Sequence, residues 1–222
     1  MMILIFSFGG ELRGEAFFSK KKTKKEEYRK TKSIFDVMCQ RKALTINLVF
    51  DVDAVVNNRK SKKKHPADLF FVDKKGNKHK WKIKINVRGG FRRTNCSEMP
   101  PLKLNFKKSD LKKAGLSEYD DFKLVTHCVE EEALARTLIL REYLAYKYFN
   151  ILTKNSFRVQ LLNINYIDSK TGEVTQHLGF IIEDLGLLRH RLRAEKCENP
   201  FGISPELIDK KHFKKMALFQ YM

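Results

Sequence analysis

Along residues 80–88 the chain alternates strictly, with Trp81, Ile83, Ile85 and Val87 on one side and Lys80, Lys82, Lys84, Asn86 and Arg88 on the other. This period of two predicts a half-buried antiparallel strand with one face in a core and one basic face. LTINLVF at 44–50 alternates in the same way, and DLFFV at 68–72 leads through the turn KKGNK into the Trp81 strand. The three read as an antiparallel meander. Past Arg88, Gly89-Gly90 allows backbone angles closed to other residues, in a turn able to show its amides to an anion, and Arg92 and Arg93 follow. Pro100-Pro101 imposes an extended entry into Leu102, Leu104 and Phe106, with Lys103 and Asn105 on the opposite face. A solvated basic edge strand with a Gly-Gly turn gives the same pattern, so the hairpin alone does not establish phosphate binding.

Further along, DFKLV at 121–125 predicts another short strand, and residues 130–152 predict the long helix, opened by Glu130-Glu131-Glu132. Acidic side chains suit a helix N-terminus. Strands are expected at 157–167 and 177–183, joined by DSKTGE, and Ser204-Pro205-Glu206 starts a helix still running at Met222. On the long helix, Glu132, Arg136, Tyr143, Lys147 and Asn150 share one arc, read as the solvent side, whereas Glu142 falls with Leu138, Ala145 and Phe149. A carboxylate there is costly to desolvate without a cation. Glu142 is therefore expected to be buried and paired, with Lys103, Arg141 and Arg158 as the candidate bases; a plain structural ion pair is the alternative.

The 222 residues suit one continuous unit after a basic leader, and the net charge of +19 implies attraction to polyanions. Much of that charge lies in SKKKTKKEEYRKTK at 19–32 and RKSKKKH at 59–65, which also read as solvated linker and insertion. The apolar opening MMILIFSF lacks a basic lead and is a poor signal peptide, and no later segment is long and apolar enough to span a bilayer. Cys39, Cys96, Cys128 and Cys197 show no C-x-x-C spacing, which argues against a zinc site. Cys96 and Cys128 can pair in an exported protein; buried thiols are the default in a reducing compartment. His127, beside Cys128, has no partner at catalytic spacing and reads as structural, and LRHRLRAEK at 188–196 reads as a solvated basic helix.

A helix glutamate holding a strand lysine is the device that positions nucleotide phosphates in protein kinases. The ordered series VRGGFRR, PPLKLNF, KLVTHC, LREYLAYKYFNILT, SFRV and GFIIED resembles a group of mostly exported bacterial proteins distantly similar to the spore-coat CotH-type atypical kinases. It covers roughly residues 33–222. The resemblance implies an α+β fold: an antiparallel or mixed sheet packed on a long helix as a kinase-like N-lobe over 33–183, then the start of a helical lobe over 184–222, after a basic leader at 1–32. It implies ATP with magnesium as cofactor, an unknown protein phosphoacceptor, and an exported location, against which the poor signal peptide leaves the cytoplasm open. Carried over by position, Arg88, Gly89 and Gly90 cover phosphate, Lys103 contacts it, Glu142 orients the lysine, and Glu183 and Asp184 lie at the hinge. Where relatives commonly read R-G-N, this chain reads Arg88-Gly89-Gly90.

The Asn/Asp-containing segment that supplies metal ligands and a catalytic carboxylate in such proteins is expected beyond the final helix, so the expectation is an incomplete or inactive copy. Asp168, Asp184 and Asp209 are the remaining carboxylates considered, and no catalytic base or metal ligand is assigned. The alternative class is a non-catalytic basic module that binds nucleic acid or another polyanionic surface through charge.

Overall fold

The computed structural model describes residues 31–96, 98–195 and 203–222. The basic leader lies almost wholly outside them. Strands β1 (Leu44–Phe50), β2 (His65–Val72), β3 (Lys78–Val87), β4 (Leu102–Asn105), β5 (Asp121–Val125), β6 (Val159–Asp168) and β7 (Val174–Ile182) are joined by helices α1 (Ile34–Met38), α2 (Val52–Asn57), α3 (Phe91–Asn95), α4 (Lys108–Lys113) and α5 (Glu132–Leu152). After β7 come α6 (Leu185–Leu192), a 3-10 turn (Pro205–Leu207) and α7 (Lys210–Tyr221).

The protein is α+β, and its sheet closes into a barrel in the order β1-β2-β3-β4-β5-β7-β6. β1 to β3 form the expected antiparallel meander, which continues through β4 and β5, and β7 pairs antiparallel with both β5 and β6. Closure is made by β6 lying parallel to β1, from Leu44 opposite Leu162 to Phe50 opposite Asp168. The expectation was an antiparallel or mixed sheet packed on a long helix; a barrel satisfies the same alternating pattern while leaving no unpaired edge.

Inward side chains of every strand fill the barrel: Ile46, Leu48, Leu69, Ile85, Leu104, Phe122, Leu124, Ile164 and Ile181 are each fully buried. Gly179 stands where β7 crosses this core. A Cβ there would lie 2.6 Å from Ile164 Cδ1 and 2.7 Å from the Val125 carbonyl oxygen, so no larger residue fits. A second core lies outside the wall, where Val125, Val159, Phe180 and Ile182 meet Ile139, with Tyr143, Tyr146 and Phe157 around them. This is the seat of α5.

α5 is turned differently from the expectation. Ala135, Ile139 and Phe149 are its buried residues, and Tyr143, assigned to the solvent arc, packs on Phe180 with ring centres 5.9 Å apart. Leu138, assigned inward, is exposed, as are Leu134, Leu144, Tyr148 and Ile151. The helix carries apolar residues on most of its circumference, so periodicity alone does not choose the seated face. α7 packs back on α5 through Phe219, whose ring meets those of Tyr146 and Phe149.

Candidate functional site

The basic face of β3 continues across the outer side of the barrel. Antiparallel register sets Asn86 opposite Lys103 on β4, and Lys103 opposite Lys123 on β5. Two like charges directly opposite destabilise a sheet unless something neutralises them. Lys103 has a partner, donating to Asp121 at 2.6 Å. Among the described residues Lys123 has none so close: its amine sits 5.6 Å from the centre of the Phe157 ring and its pKa is held below its usual value, chiefly by desolvation and then by Arg88 and Lys103.

Arg88, just past the end of β3, completes the group. Its guanidinium is half-buried and has no hydrogen bond or ion pair among the described residues. Burial is the main cause that lowers its pKa, Arg92 adds to it, and Tyr146 and Glu142 act in the opposite direction. A buried cation normally meets a carboxylate or several acceptors. Arg88, Lys103 and Lys123 thus form an under-neutralised positive patch beside the flank of α5.

Glu142 does not receive Lys103. Arg92 donates to it at 2.8 Å, and its side chain remains 31% exposed, so the buried carboxylate neutralised from a strand is replaced by a partly exposed pair. The other two candidate bases are elsewhere or unneeded: Arg158 serves different carboxylates, and Arg141 is exposed. The pair still joins the sheet to α5, because Arg92 belongs to α3, the short helix that follows Gly89 and is capped by Gly90. Gly89 has φ +88°, the left-handed region that glycine enters freely. Cys96, at the end of α3, forms a disulfide with Cys128 just before α5. The buried thiols read as the default are therefore a bond that fastens the same segment from its other end.

Glu183 is the fully buried carboxylate. Its two oxygens take Arg158 Nε at 2.7 Å and Arg191 at 2.6 Å, and the Arg158 amide at 3.0 Å. Arg158 also donates to Asp36 of α1 at 2.7 Å and lies over the Phe35 ring. Asp184 caps α6 by accepting from the Leu187 amide at 3.0 Å, and burial and nearby Asp121 raise its pKa. These two residues do stand where β7 passes into α6. Arg191 is tied inward here, which corrects the reading of that helix as solvated.

The other candidates are structural. Asp168 accepts from the amides of Val52, Lys170 and Thr171, and Asp209 caps α7. His127 is buried and stacked on His177 at 3.5 Å. Arg88, Lys103 and Lys123 suit phosphate oxygens, while among the described residues no three His, Cys, Asp or Glu side chains converge on a metal position.

Sequence reasoning placed Arg88, Gly89, Gly90 and Lys103 on one hairpin and missed Lys123 and Asp121, while Arg158, considered as a base for Glu142, serves Asp36 and Glu183 instead. The signal for Lys123 was present: in DFKLV it is the outward residue between Phe122 and Leu124, both buried. Comparison with family models, curated proteins and solved structures finds no match for this chain.

Proposed function

We propose that the outer face of β3, β4 and β5 beside α5 binds the phosphates of a nucleotide, ATP foremost, and that the chain is a kinase-like, nucleotide-facing lobe of the CotH type. The observation that carries this reading is Arg88, a half-buried guanidinium without an acceptor among the described residues, set next to two lysines that oppose each other across the sheet. A triphosphate supplies the missing negative charge. Arg88 and Lys123 contact its oxygens, Lys103 contributes charge while Asp121 holds it, and the Arg92–Glu142 pair with the Cys96–Cys128 bond steadies the intervening segment. The disulfide agrees with an oxidising compartment and hence an exported protein. Magnesium would add charge compensation on the phosphates themselves. No group is assigned to transfer a phosphoryl group, so the reading is one of binding.

Calorimetric titration with ATP, AMP and adenosine tests it. Affinity should fall in that order, and Arg88→Met or Lys123→Met should weaken ATP by about tenfold or more. Adenosine binding as tightly as ATP, or unchanged affinity in both variants, overturns it.

A further inference from the structure

A groove lies over the outward face of β1, β2 and β3, at the end of β3 far from Arg88. It has a volume of about 490 Å³, and Thr45, Asn47, Phe70, Val72, Lys78 and Lys80 are among its lining residues. Phe70 is partly exposed on its floor, with the Lys80 amine 5.1 Å from the ring centre. From its edge the exposed Lys78, Lys80, Lys82 and Lys84 run along one face of β3. Alternate residues of a strand recur about every 6.7 Å. None of the four makes an ion pair among the described residues.

We infer that this groove binds single-stranded nucleic acid. The lysine row tracks an extended phosphate backbone, which repeats its charge on a similar scale, while the aromatic face beneath Lys80 gives a base a stacking surface. Thr45 and Asn47 offer polar contacts to base edges. An anionic membrane would use the lysines equally well, but it gains nothing from a recessed aromatic floor flanked by polar side chains. A duplex would meet the lysines and leave that floor uncovered. This site is separate from the phosphate patch around Arg88.

Fluorescence anisotropy with a labelled 12-nucleotide oligo(dT) tests the inference on the full chain. Three to four phosphate contacts give a slope of log affinity against log salt of about −2 to −3. Lys78→Glu with Lys80→Glu should lower affinity at least about tenfold and flatten that slope, whereas Lys112→Glu with Lys113→Glu, exposed on α4, should have under about a twofold effect. All four positions are on the surface, and circular dichroism verifies that each variant is folded. Phe70→Leu, which keeps an apolar floor, should weaken binding without changing the salt slope. Equal losses in the two charge-reversed pairs mean diffuse attraction and overturn the site. Loss on Arg88→Met places the strand at the other patch and also overturns it. So does binding to phosphatidylserine vesicles with none to the oligonucleotide.

Discussion

Two glutamates, Glu142 on α5 and Glu183 at the end of β7, show how differently one carboxylate can be used. Glu183 is sealed in, and every contact it makes joins distant pieces of chain: Arg158 leads to α1 through Asp36, and Arg191 leads to α6 and the carbonyls of Lys154 and Ser156. Glu142 stays partly exposed with a single arginine. An enclosed carboxylate with two guanidiniums is a structural knot, because removing it strands both charges. A partly exposed one paired with a single arginine leaves the fold nearly indifferent.

The widest test of this contrast is to neutralise each in turn. Glu183→Gln should cost about 3–5 kcal/mol in urea unfolding, and Glu142→Gln about 1 kcal/mol or less. Equal costs would erase the distinction. If the Arg92–Glu142 pair contributes so little, the disulfide must do most of the holding. Cys96→Ser with Cys128→Ser closes no loop across 32 residues and should lower stability by about 3–4 kcal/mol. A smaller loss in that variant than in Glu142→Gln would reverse the assignment.

His127 sharpens the comparison from the side of a group buried neutral. Desolvation, then His177, pushes its pKa down to about 4, with Glu132 and Glu98 acting on His177 in the other direction. Above about pH 6.5 folded and unfolded chains both keep this ring neutral, so stability is flat. As pH falls toward 4 only the unfolded chain takes the proton, and stability drops by about 3 kcal/mol across that window. His127→Phe should remove that slope, read from denaturant unfolding at successive pH values. The smallest effect is expected at Arg88. Arg88→Met relieves an uncompensated charge and should leave stability unchanged or raise it by about 1 kcal/mol.

Strand content was legible because alternation is local: β1 and β5 coincide with their expected ranges, and β3 places its lysines outward as read. Barrel closure was not, since the register of β6 on β1 pairs residues more than a hundred positions apart and leaves no mark in either segment. The seated face of α5 failed for another reason. Leu138 and Ile139 are equally apolar, and only the packing of Ile139 beside Phe180 decides between them. Of the site, charge type and strand parity gave Arg88 and Lys103, but partners depend on reach across strands. Asp121 lies diagonal to Lys103 and captures it before Glu142 can.

In the proposed site Arg88, a cation without a partner among the described residues, takes a phosphate as its partner. Thermal unfolding of wild type and Arg88→Met, each with and without saturating ATP, tests both halves at once. ATP should raise the wild-type midpoint by about 5 °C or more, and the variant should melt at or above the ligand-free wild type with no response to ATP. A variant that melts several degrees lower without nucleotide, or that gains as much from ATP as the wild type, would contradict it.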